Sequence, residues 1–182
     1  MTGQSHWVFD LLSPAAILVS AAGAWWFANK SILNARDISR KKSTFDYISK
    51  LSWDRDYIEA KNKFLAIKIG PKKLRAVAEE YERLKNNGTA TPGAGVAEDV
   101  AEAIREHSAI KNILNEYEAL AVAIRNGALD EDMMKENMQQ QFVDHVDACK
   151  DFIEHTRKNS HFKKPERIWK EAQALAEKWR VA

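Results

Sequence analysis

Cysteine, glycine and proline are scarce in this chain of 182 residues, which holds one Cys, seven Gly and four Pro. A single Cys excludes an internal disulfide and cannot furnish an all-cysteine zinc or iron–sulfur site. No segment alternates apolar and polar residues with β-branched enrichment for long, so no strand is expected. Also missing are a Gly-rich phosphate cradle, a GxSxG elbow, an HExxH pair and any Ser/His/Asp order. The sequence therefore offers no catalytic case, and the balance leans toward a non-enzymatic protein without a cofactor. With 45% hydrophobic and 30% charged residues, the composition suits one helix-rich module rather than a disordered tail.

What the chain does have is one long uncharged run. Leu11 to Asn29 reads LLSPAAILVSAAGAWWFAN, bounded by Asp10 and Lys30. As a helix it covers roughly 28 Å, close to the ~30 Å core of a bilayer. Pro14 sits in the first turn, where its missing N–H costs nothing, and Ser13 is placed to cap. Trp7 and Phe9 on one side and Trp25, Trp26 and Phe27 on the other fit two interfacial aromatic belts. Residues 1–10 contain no Lys or Arg, against the pattern of a cleaved secretory signal. The competing reading is a buried hairpin helix of a soluble protein, but no other segment is apolar enough to partner it.

Lys30, Arg36, Arg40, Lys41 and Lys42 follow the run against a single Asp37. By the positive-inside rule this predicts a single-pass protein of the bacterial inner membrane, N-terminus outside and the rest cytoplasmic. The expected organisation is a short outer tail over 1–10, a transmembrane helix over 11–29, a basic juxtamembrane segment over 30–42 and a helical domain over 43–182. Ala16, Ser20 and Ala24 recur every four residues, a weak small-residue signal for a homo-oligomer.

The fold class predicted for the rest is all-α, a bundle of about five helices. Apolar stripes predict helices from Asn34 to Leu51, Asp54 to Ile69, Pro71 to Leu84, Val96 to Asn126, from Asp130 past Ile153, and Pro165 to Arg180. Residues 86–95, NNGTATPGAG, form the one evident flexible loop. Gly127 is placed to end the long helix, and the short Asn-Gly-Ala-Leu link predicts antiparallel packing of the two helices it joins.

Charge is segregated along the chain. Residues 30–42 carry five bases and one acid, 43–156 carry 15 bases and 21 acids, and 157–182 carry eight bases and three acids. The first basic segment suits anionic lipid headgroups, worth about 1 kcal/mol per Lys or Arg near the surface. Nucleic acid is not favoured as a partner for the C-terminal cluster, because no DNA- or RNA-binding motif surrounds it.

The block from His107 to Arg157 contains Ile113-Leu114-Asn115-Glu116-Tyr117-Glu118, then Ala121 to Gly127 (AVAIRNG), then an acidic helix start at Asp130-Glu131. With Thr44 to Ile48 and Ile58-Glu59-Ala60, it resembles a bacterial and prophage family catalogued as domain of unknown function 4760, over most of residues 30–160. The resemblance implies a membrane segment before a helical domain and a phage-related setting, such as superinfection exclusion or defence. It brings no catalytic residues.

Among the side chains, His145 and Cys149 share a helical face but make two ligands, not a site, and the apolar neighbours of Cys149 read as core. Asp151 and His155 repeat that spacing near a helix end, where the dipole alone accounts for the His. Arg157 and His161 fall one residue short of the Arg-to-His spacing of helical RNases. Met133, Met134 and Met138 read as gap-filling core. Asn115, Glu116 and Glu118 interrupt the stripe of the long helix and, with Arg125, predict an interhelical polar network. The reading that follows is a membrane-anchored interaction protein with an unknown protein partner or a second copy. Its rival is a membrane-tethered enzyme or ligand sensor with a pocket between the helices flanking Gly127. A Glu116, Glu118 or Arg125 lacking a protein partner and facing a cavity would favour the rival.

Overall fold

A computed structural model describes residues 6–88 and 97–181, with side chains in the first helix described from Leu18 onward. Among these residues the chain is all-helical, with seven α-helices: α1 His6–Trp53, α2 Arg55–Ile69, α3 Leu74–Asn86, α4 Glu98–Arg125, α5 Glu131–Ala148, α6 Lys150–Lys158 and α7 Lys170–Val181. A 3-10 turn over Pro165–Arg167 precedes α7. The chain divides into two units, 1–42 and 43–182.

In the first unit, the described large apolar side chains of α1 are open to solvent: Leu18, Val19, Trp25, Trp26, Phe27, Ile32 and Leu33 are each more than half exposed. Among the described residues no helix is long and apolar enough to cross a membrane. The expected span over 11–29 lies within α1, but its side chains are described only from Leu18 onward, so the expected cap Ser13, Pro14, Ala16 and the outer belt residues lie outside the described side chains. Asp37 pairs with Arg40 at 2.8 Å and Lys41 at 2.9 Å, and the Lys30 ammonium lies 5.1 Å from the Trp26 ring centre.

The second unit is built around α4. Its buried residues Ile110, Ile113, Leu114, Tyr117, Leu120, Ala121 and Ile124 recur at threes and fours, and α2, α3 and α7 pack against it. Local chemistry sets the ends of the helices. Asp54 caps α2 by accepting the Tyr57 N–H at 3.0 Å, and Asp130 caps α5 by accepting that of Met133 at 3.0 Å. The N–H of Asp130 itself donates to Thr44 Oγ1 at 2.7 Å, which ties the last turns of α1 to the start of α5. α4 ends in a Schellman motif: Gly127, at φ +69°, donates to Ile124 O and Ala128 donates to Ala123 O, each at 2.9 Å.

Three expectations are corrected. α3 starts at Leu74 rather than Pro71, because Pro71 keeps Gly70 extended at ψ 176° and Lys72 reaches away to Glu80 and Glu106. The helix expected from Asp130 past Ile153 is broken at Cys149, whose N–H is shared between His145 O and Val146 O, both at 3.1 Å. The helix expected from Pro165 to Arg180 breaks at Trp169, a non-glycine residue at φ +51°. α4 and α5 meet through side chains such as Tyr117 and Phe142, with ring centres 4.7 Å apart, and α7 packs on both. The expected loop over 86–95 lies largely outside the described residues, between the end of α3 and the start of α4.

Candidate functional site

The four polar residues singled out from α4 are all interhelical, but they do not form one network. Glu116 accepts a hydrogen bond from the Tyr47 hydroxyl at 2.7 Å. Burial and that carboxylate push the Tyr47 phenol well above its ordinary pKa. Asn115 Oδ1 accepts the indole N–H of Trp169 at 2.8 Å. Arg125, exposed, pairs with Glu171. None is a free ionic group facing a cavity.

Glu118 has a role that spacing does not reveal. α7 follows Trp169, whose side chain has no oxygen with which to cap a helix. Glu118 of α4 supplies the missing acceptor: Oε1 takes the N–H of Glu171 at 3.3 Å and Oε2 that of Ala172 at 2.8 Å. A carboxylate there satisfies two orphan amides and sits at the positive end of the α7 dipole. The turn that brings α7 to it is held by Arg157, whose guanidinium donates to Ile168 O at 3.0 and 2.5 Å and to Gln173 Oε1 at 2.7 Å. Arg157 is thus engaged in structure and not arranged with His161 as a catalytic pair. The Trp169 backbone pays for that turn with about 1–3 kcal/mol of strain.

A second polar cluster lies in the core. Lys61 donates to Gln141 Oε1 at 3.0 Å, Gln141 Nε2 donates to the Tyr117 oxygen at 3.2 Å, and that hydroxyl meets His145 Nδ1 at 2.8 Å. Burial, aided by Lys68, lowers the His145 pKa to about 4, so the ring is neutral at pH 7. Cys149 is fully buried, and burial pushes its thiol up to about 12. Among the described residues no group of three His, Cys, Asp or Glu is placed to hold a metal ion.

A cleft of about 660 Å³ lies between α3, α4, the end of α6 and the segment leading into the 3-10 turn, not between the helices flanking Gly127. Asn115 and Glu118 line it, whereas Glu116 and Arg125 do not. Tyr81 of α3 and His107 of α4 form part of its wall as a parallel ring pair, centres 3.7 Å apart and planes within 2°. Behind His107 lies Phe152, 5.4 Å away. Burial, then Lys111 and Lys85, lower the His107 pKa to about 4. Tyr81 and His107 were visible in the sequence only as members of separate helices; nothing in their spacing signals that they stack. No curated protein and no solved structure matches the chain. The family model for a domain of unknown function (DUF4760) does match, over residues 14–179, and the chain belongs to that family.

Proposed function

We propose that this chain is a membrane-anchored, non-enzymatic interaction protein. Its anchor is the helix over 11–29, with the N-terminus outside and the helical domain over 43–182 on the cytoplasmic side, where it binds a protein partner or a second copy. The observation that carries the reading is the row of open apolar side chains in the first unit, in which Leu18, Val19, Trp25, Trp26 and Phe27 are all more than half exposed. In water so large an apolar surface marks an interaction site, and a bilayer covers it around the whole helix. Trp25, Trp26 and Phe27 lie within about one and a half turns before Lys30, in the order expected where a helix leaves the hydrocarbon for the headgroups. Beyond them Arg36 and Lys42 have no ion-pair partner among the described residues and suit anionic lipid.

The non-enzymatic half is supported by the engagement of Glu116, Glu118 and Arg125 with protein partners, which leaves the rival pocket near Gly127 without a free ionic group. A phage-related setting, superinfection exclusion or defence, is implied by the bacterial and prophage resemblance alone.

The test is fractionation of cells making the full chain beside a chain beginning at Lys30, followed by light scattering and mass spectrometry of the detergent-solubilised protein. We expect the full chain in a membrane fraction that resists salt and alkaline extraction, and the shorter chain in solution. A full chain in solution sinks the anchor, and a labelled N-terminus shielded from outside reagents in intact cells sinks the orientation. A solitary monomer sinks the interaction.

A further inference from the structure

The cleft between α3, α4 and the segment before the 3-10 turn has features that neither the packing nor the membrane reading uses. In its wall the His107 ring stacks on half-buried Tyr81, with buried Phe152 behind His107, and at its rim Phe162 is 74% exposed. Two acids line it, and both are engaged: Glu82 with Lys85 at 3.4 Å, and Glu118 with the first amides of α7. Three cations line it as well: Lys85, paired with Glu82, and Lys111 and Arg167, whose side chains have no ion-pair or hydrogen-bond partner among the described residues. The uncompensated charge of the cleft is therefore positive, and the neutral imidazole of His107 leaves an uncharged ring in its wall. A volume of about 660 Å³ is that of a small-molecule site.

We propose that this cleft binds a small anionic ligand carrying a planar ring, of the size and chemistry of a nucleoside monophosphate. The ring lies against the aromatic surface of Tyr81 and Phe162, and Lys111 and Arg167 hold the phosphate. Aromatic faces favour any base by stacking, so the cleft selects for a planar ring and an anion together rather than for one base. The proposal does not depend on the anchor, since every residue it uses lies in the second unit.

The experiment is calorimetric titration of the full chain in detergent micelles with three probes: adenosine monophosphate, adenosine and inorganic phosphate. We expect saturable binding of the monophosphate and at least about tenfold weaker binding of the other two, since each lacks one of the recognised groups. The double variant Lys111→Gln/Arg167→Gln changes two side chains that make no ion pair or hydrogen bond among the described residues. It should weaken the monophosphate about tenfold or more and leave adenosine unchanged. Tyr81→Leu should weaken monophosphate and adenosine alike, with circular dichroism confirming that the helices are intact. Absence of binding at millimolar monophosphate overturns the proposal, as does a double variant that binds normally. Phosphate binding as tightly as the monophosphate removes the ring from it. A single-stranded oligonucleotide that binds through Lys163 and Lys164 while the monophosphate is silent replaces the cleft with a nucleic-acid surface.

Discussion

Glu118 on α4 accepts the backbone N–H of Ala172 on α7 at 2.8 Å, across 54 residues of sequence. The C-terminal helix therefore begins on a carboxylate supplied by a distant helix rather than by its own preceding residue. Glu118→Ala should lower stability by about 1–2 kcal/mol, the range for a lost cap, and Glu118→Gln by less, since an acceptor oxygen survives without the charge. Urea denaturation followed by tryptophan fluorescence gives the midpoints. Equal midpoints for wild type and the alanine variant refute the capping role.

Gly127→Ala should also destabilise, by about 1 kcal/mol, because φ +69° penalises a Cβ even though the position offers space for one. The same urea titration reads it. The loss should appear without a change in slope, since the surface exposed on unfolding is unaltered.

Acid should weaken the fold in two stages. His107 and His145 are held near pKa 4 in the folded state against an ordinary 6.5, so below 6.5 the unfolded chain takes up protons that the folded one does not. The stability contributed by the neutral rings is fully present above pH 6.5 and is lost as pH falls from there toward 4, by about 1 kcal/mol per ring after allowing for solvent screening. The paired carboxylates Glu102 and Glu131, held below their usual range chiefly by Lys63 and, for Glu131 against its burial, by Lys178 and Trp179, give way only at lower pH. Unfolding midpoints measured from pH 7.5 to 4 should therefore fall, and His107→Gln should flatten the upper part of that curve.

Cys149 should be inert in the folded protein. Its thiol is buried and raised to about 12, so at pH 8 almost no thiolate is present and no reagent reaches it. Ellman's reagent should label it at the rate of unfolding and at once in concentrated urea; fast labelling in native buffer contradicts the burial.

Much of the fold was legible in local pattern. The α4 stripe, the helix starts at Asp54 and Asp130, the Gly127 stop and the core placement of Cys149 all rest on residues within a few positions of one another, where helical periodicity and backbone chemistry dominate. The site was legible only in part. Asn115 and Glu118 were marked as polar interruptions, but their partners, Trp169 and the start of α7, are chosen by tertiary packing. The same holds for Tyr81 and His107, whose stacking depends on how α3 lies on α4. The break at Trp169 has no local cue either, since a bulky aromatic is a poor candidate for positive φ and is held there by Arg157 and Asn115 from elsewhere in the fold.

Because α7 has 12 residues and its first amides find their acceptor on another helix, it has little tendency to persist alone. Its helicity depends on its docking: the Glu118 contact and the burial of Trp179 against α4 and α5 hold it in place together. Amide hydrogen exchange at Glu171 and Ala172 reads the strength of that docking directly.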